Sequence, residues 1–391
     1  MMNCRHRKND ACMVSIGIAE RPVGTTDEDC ARCRTLDPPQ DVNRLTVSRA
    51  LATMRANGAP NDQLFATARL YRDVLSPDAQ RETNPDAKKL VLITRLCPGD
   101  VLTLTAAVES LHATYPGEYV TDVRTPALDI WKHNPHITPV DCDDPDGLPV
   151  EMHYPTIHQC NQAHVPFLGG FTSHLAQEIG RPLTLTVNRP CLYLSDDEKS
   201  WKNQVHETIG QDVPFWIVNA GVKKDYTTKA WPVEYFQAVV DRTLGHIQWV
   251  QVGAETDDHP RLDGVVDLVG KTDHRQLIRL AWHCQGGLGP VTYLQHLCAA
   301  WEKPYICLLG GREPVTWTSY PLQYTLHTMG ALECCKRQAC WESRVVPLDD
   351  GDDKNDRLCK RPVLGLRRPV PACMAMIKPD DVIQLVERLA A

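Results

Sequence analysis

The chain has 391 residues, with 42 basic against 49 acidic side chains and a net charge of −7, a length that holds two or three domains. Its 42% hydrophobic content suffices for packed cores, while the acidic balance and the lack of a basic run exclude nucleic acid as the expected partner. No apolar stretch approaches the ~18 residues of a membrane span, and the opening MMNCRHRKND is polar rather than signal-like, so a soluble, cytoplasmic protein is expected.

Of sixteen cysteines, four fall in the first 33 residues and five between 334 and 373. Clustered cysteines in a reducing compartment read as metal ligands, and the scattered ones as small buried hydrophobes. Residues 1–37 carry Cys4, His6, Cys12 and the Cys30-Ala-Arg-Cys33 knuckle. Cys4 or His6 with Cys12, Cys30 and Cys33 would close a tetrahedral zinc site; free thiols are the alternative. Residues 38–87 read as a helical linker, with apolar spacing at Leu45, Ala50, Leu51 and Met54 and again at Leu64, Ala68, Tyr71 and Leu75.

Leu90 to Thr94 is a buried parallel strand by its apolar, β-branched run. Pro98-Gly99-Asp100 is turn chemistry with Asp100 as the expected N-cap, and Val101 to His112 has helical spacing that Tyr115-Pro116-Gly117 stops. A carboxylate thus stands at the carboxyl edge of a strand, where open α/β sheets bind ligands. Strand and helix patterns then alternate through EYVTDVRT, ALDIWKHN and ITPVD, the order of a parallel doubly wound sheet. The stretch from His153 to Phe171 adds His158, His164 and a Gly169-Gly170 turn. RPLTLTVNRPCLYLS closes this half, and SDDEKSWKNQVHETIG reads as an interdomain helix.

A second α/β run starts at PFWIVNAG and continues through IQWVQVG, VVDLVG and YICLLGG to a terminal helix, PDDVIQLVERLAA. Between its first strand and the Trp231-Pro232 helix start lies a Lys/Thr-rich loop with Lys223, Thr228 and Lys229. Lysine beside helix-start amides makes a diphosphate cradle, an ordinary solvated loop being the alternative. Gly286-Gly287-Leu-Gly289-Pro290-Val-Thr292 places glycines before the helix of His296, which again suits phosphate approach.

Arg95, Pro98-Gly99-Asp100-Val101, Tyr115-Pro116 and Asn134-Pro135 together resemble the opening of the family 9 glycosyltransferases, the ADP-heptose heptosyltransferases, and the resemblance runs over roughly residues 88–391. It implies an α/β GT-B fold: two Rossmann-like doubly wound domains facing across a cleft, at 88–198 for the acceptor and 199–391 for the donor, behind a small Cys-rich extension. Lys229-x-Trp231-Pro232 matches the family's Lys-x-Trp-Pro, whose lysine holds the donor diphosphate. Thr292 and His296 match the family's Asp-Ser/Thr-Gly and following His, but Val291 and Tyr293 stand in place of its Asp and Gly. Glu255 and Lys271 fall where relatives meet the nucleoside, His158 and His164 where they face the acceptor, and Arg312 ends the YICLL strand at the phosphate edge. Cys335, Cys340, Cys359 and Cys373, with Cys334 spare, look like the iron-binding set of the autotransporter-type heptosyltransferases, a structural Fe or Zn site whose four thiolates leave no open position.

The implied reaction is inverting transfer of heptose from ADP-heptose to a saccharide or protein hydroxyl, with Asp100 as general base and no catalytic divalent metal. A GT-B transferase for another NDP-hexose and a non-catalytic nucleotide-sugar-binding scaffold are the alternatives; a homo-oligomer is compatible with each.

Overall fold

In the computed structural model, residues 7–8, 11–12, 84, 86–141, 144–153, 160–162, 165–201 and 204–390 are described. Strands β1 (Arg7–Lys8) and β2 (Ala11–Cys12) form an antiparallel pair. Cys12 lies on that pair, while Cys4, His6, Cys30 and Cys33 and the linker pattern over 38–83 lie outside the described residues. The chain divides into two compact units, one of residues 1–101, 115–153 and 273–275, the other of 102–114, 154–272 and 276–391.

The first unit is built on a parallel sheet of β3 (Lys88–Ile93), β4 (Tyr119–Arg124) and β5 (Gly147–Glu151), in the order β4-β3-β5. Leu90, Val91 and Leu92 are buried, as the apolar run predicts. Buried Asp122 in β4 is satisfied by the Val140 amide at 3.2 Å and by Arg124 at 3.3 Å. One expectation changes here, and one strand is new. ITPVD is not a strand and contributes only a bridge from Ile137 to Thr121, while β5 comes from GLPVE, whose glycine and proline are tolerated because β5 is an edge.

Helix α1 (Pro98–Thr114) begins at Pro98, whose fixed φ suits the first helical position. Asp100 is therefore not the N-cap but the third helical residue. Its carboxylate reaches back to accept from the amide of Cys97 at 3.0 Å. From Leu102 on the helix groups with the second unit, and Leu102, Leu104, Val108 and Leu111 are fully buried. Its inward hydroxyls are satisfied too, with Thr105 Oγ1 accepting from the Cys191 amide and Ser110 Oγ from the Thr186 amide. A helix buried on all sides needs no polar face.

Gly169-Gly170 is not a turn; both lie in α2 (Phe167–Ile179), which ends on left-handed Gly180. Residues 181–195 form no strand, and the expected interdomain helix is two short ones, α3 (Asp196–Ser200), with a Ser195/Glu198 capping box, and α4 (Gln204–Ile209).

The chain then runs through β6 (Phe215–Val218), α5 (Val233–Thr243), β7 (Gln248–Gln251), β8 (Val266–Asp267), α6 (His274–His283), β9 (Gly286–Pro290), α7 (Tyr293–Ala300), β10 (Tyr305–Gly310) and β11 (Gln323–His327), all in the second unit but for the first two residues of α6. These six strands form one parallel sheet in the order β11-β10-β9-β6-β7-β8. Counted from β6 this is the 3-2-1-4-5-6 order of a doubly wound sheet, which reverses direction between β6 and β9. The short α8 (Ala372–Ala375) and α9 (Pro379–Ala390) follow, and Val382 and Val386 of α9 join Trp231, Phe236, Val240 and Trp249 in one core. The glycine segment 286–290 is thus a fully buried central strand rather than a turn before a helix.

Candidate functional site

A doubly wound sheet binds ligands outside the carboxyl ends of its strands at the point where strand order reverses. Here that point lies between the residues after β6 and those after β9. The segment after β6 is anchored by Ala230 and Trp231, both fully buried, with Trp231 Nε1 donating to the Ile377 carbonyl at 3.1 Å. These anchors aim Lys229 across the reversal point. Its Nζ donates to the carbonyl of Val291, the first residue after β9, at 3.2 Å. The same ammonium is 2.8 Å from Glu313 Oε1, just beyond the end of β10.

Glu313 also pairs with Arg312, whose Nε donates to the Glu342 carbonyl at 2.8 Å and whose guanidinium lies 5.4 Å from the ring centres of both Tyr226 and Trp341. Burial pushes the Glu313 carboxyl up, but the charges of Lys229 and Arg312 together pull it further down, so it is held below its ordinary value. Among the described residues, none offers a hydrogen-bond partner to its second, buried oxygen, Oε2. Behind it His296, on α7, lies with Nδ1 2.8 Å from the Tyr320 hydroxyl, and burial pushes its imidazole down to about 3. The three strand ends therefore gather two cations, one carboxylate and a neutral histidine.

The remaining expected residues occupy varied places. Thr292 is the N-cap residue of α7 and makes no side-chain cap bond. Gly287, Gly289 and Pro290 lie within β9, where a Cβ on Gly287 would stand 2.9 Å from Cys298 Sγ and from the Tyr305 ring. Thr228 is buried, with its hydroxyl within 2.7 Å of the Glu342 carbonyl and 2.9 Å of that of Ser343, so it ties the loop to the chain at 342–343. Lys223 and Glu255 are exposed. Lys271 is exposed and donates to the Asp267 carbonyl at 2.7 Å. His158 and His164 lie outside the described residues. Asp100 belongs to the first unit and is half-buried at the start of α1.

Two residues at this sheet edge carry no spacing signal in the sequence. One is Glu313. The other is His259, whose ring fills the space beside Gly221 and Gly253, after β6 and β7. A Cβ on either glycine would come within 1.9 Å and 2.1 Å of that ring, respectively. Burial drives its imidazole down to about 4, and neighbouring Asp258 is held by Arg368 at 3.2 Å. Paired glycines after adjacent strands were the one available hint of a flat group between them.

The C-terminal cysteines also converge. Cys334, Cys335, Cys340, Cys359 and Cys373 line a single pocket with Thr228, Gly311 and Arg312. The pocket rests on Gly310-Gly311 at the end of β10. Gly310 has a φ of 62°, and a Cβ there would stand 3.2 Å from Cys373 Sγ. A Cβ on Gly311 would be 2.8 Å from Cys335 Sγ. Burial raises the thiols of Cys334, Cys340, Cys359 and Cys373, the last to about 12, and neighbouring cysteines add to each shift. None of the five is in a disulfide. This donor set suits a thiophilic ion, which deprotonates its ligands on binding. Among the described residues, no three His, Cys, Asp or Glu side chains are drawn together closely enough to ligate an ion as they stand. No helix among the described residues is long and apolar enough to cross a membrane.

Residues 174–343 match the family model described as glycosyltransferase family 9 (heptosyltransferase). No curated protein sequence matches the chain. Among solved structures, the glycosyl transferase family 9 protein from Veillonella parvula DSM 2008 is similar at 14% identity and a TM-score of 0.55, over 79% of this chain and 99% of that one. The iron-containing dodecameric glycosyltransferase TibC from enterotoxigenic E. coli H10407 is similar at 15% identity and a TM-score of 0.53, over 79% of this chain and 78% of its own. At these identities the likeness concerns the fold, and the fold is the expected one: α/β with parallel sheets, as in GT-B glycosyltransferases.

Proposed function

We propose that the chain, whose residues 174–343 match the glycosyltransferase family 9 model, is a glycosyltransferase of that family and transfers heptose from ADP-heptose to a hydroxyl of a saccharide or protein. The observation that carries this reading is Lys229 Nζ at the reversal point of the sheet, bonded to the Val291 carbonyl at 3.2 Å. An ammonium there, beside the N-terminal amides of α7, suits a nucleoside diphosphate. Thr292 opens that helix, Arg312 adds positive charge, and Lys223, Glu255 and Lys271 flank the same sheet edge as nucleotide contacts.

In the proposed reaction Asp100 takes the proton of the acceptor hydroxyl as that oxygen attacks the anomeric carbon. The bond from that carbon to the diphosphate oxygen breaks on the opposite face, inverting the centre. Lys229 and the α7 amides stabilise the charge that develops on the leaving ADP. The amide of Cys97, already bonded to Asp100 Oδ2, holds the carboxylate in place. Cys335, Cys340, Cys359 and Cys373 would hold iron or zinc, which supplies a cross-link between β10 and the 335–373 segment; Cys334 is spare. TibC is iron-containing, which favours iron.

Val291, where the family has Asp, supports a second reading with a different NDP-hexose as donor. Titration of the purified chain with ADP, UDP and GDP separates the two. Selective ADP binding that Lys229→Ala loses supports the first; selectivity for another diphosphate supports the second. Asp100→Asn is expected to abolish turnover with ADP affinity unchanged, and a fully active Asp100→Asn would remove it as the base.

A further inference from the structure

We propose that Glu313 is a positioning residue for the donor lysine: its buried carboxylate holds Lys229 Nζ at the reversal point between β6 and β9. This deepens, and rests on, the reading of Lys229 as the diphosphate anchor.

An ammonium has three donors. Lys229 uses one on the Val291 carbonyl and one on Glu313 Oε1, which leaves the third for a phosphate oxygen. The Lys229 side chain is 22% exposed and that of Glu313 only 4%, so the lysine is reachable from solvent while its carboxylate partner is buried. Glu313 is itself fixed. It pairs with Arg312, and Arg312 is locked by the Glu342 carbonyl and by the Tyr226 and Trp341 rings. Lys229 and Arg312 would repel each other in so buried a place, and the carboxylate between them is what keeps both there.

The test is ADP titration of the full chain as wild type, Lys229→Ala, Glu313→Gln, Glu313→Asp and the Lys229→Ala/Glu313→Gln double variant. Losing a charge-assisted contact that orients Lys229 is expected to weaken ADP binding roughly ten- to a hundredfold in Glu313→Gln. Glu313→Asp, which keeps the charge but withdraws it by one methylene, is expected to lie between the two. In the Lys229→Ala background, Glu313→Gln is expected to add less than about twofold, because it acts through the lysine. Glu313→Gln binding ADP as tightly as wild type, or more tightly, would overturn the proposal. So would the same loss with and without Lys229, since that would mark a merely structural role. If Glu313→Gln does not fold, Glu313→Asp decides, and unchanged ADP affinity there overturns the proposal. Unchanged affinity in Lys229→Ala would instead sink the anchor reading on which it rests.

Discussion

His296 stands behind the charged cluster with Tyr320 on its Nδ1, and burial drives its imidazole down to about 3 from an ordinary 6.5. The unfolded chain therefore binds a proton at His296 below pH 6.5 that the folded chain refuses. Stability falls as pH drops from 6.5 toward 3, with a slope of about 1.4 kcal/mol per pH unit from this one group. Urea melts across that range should show a shallower acid loss for His296→Gln than for wild type; equal slopes would contradict the burial argument. The two residues of the cluster differ in how far the sequence reveals them. Lys229 is legible because Trp231-Pro232 fixes where the next helix starts, and so where the lysine points. Glu313 is not legible. Its role depends on the end of β10 meeting a loop more than eighty positions earlier, and a glutamate after a strand announces nothing of the kind.

At the scale of elements, the glycine strand β9 shows where pattern reading fails. Glycine is depleted in strands, so Gly-Gly-Leu-Gly-Pro reads as loop. Its neighbours reverse that reading: a Cβ on Gly286 would stand 2.7 Å from the Trp216 ring, and one on Gly287 2.9 Å from both Cys298 Sγ and the Tyr305 ring. The large rings carry the bulk and the central strand is kept thin to admit them. Gly287→Ala is expected to cost about 1–3 kcal/mol through overpacking, measured by urea denaturation, with no cost if Tyr305 simply swings aside. The edge strand β5 was illegible for a related reason, since Gly and Pro suppress the strand signal. The apolar runs behind β3, β6 and β10 were legible because a strand buried on both faces is largely apolar.

At the scale of the whole molecule, the placement of the cysteines points to a metal site, and five thiols from three separate segments line one pocket. An ion bound there would cross-link the end of β10 to the segment holding Cys359 and to α8. Elemental analysis should find iron or zinc lost from Cys373→Ser but retained after removal of the first 37 residues. Its loss should lower the melting temperature by roughly 5–10 °C; a variant that keeps both metal and melting point would rule out the ligand set. The strand order has a further consequence, for the chain as it is made. β6, with four buried apolar residues, pairs on one side with β7 soon after it emerges. Its other side waits for β9, and at ribosomal speeds of roughly 5–20 residues per second that is a delay of several seconds. For that interval Phe215–Val218 offers a bare backbone edge to any other nascent strand. Crowded, slow translation is thus the condition under which this protein most readily goes astray, and a pause between β7 and β9 would prolong the risk rather than relieve it.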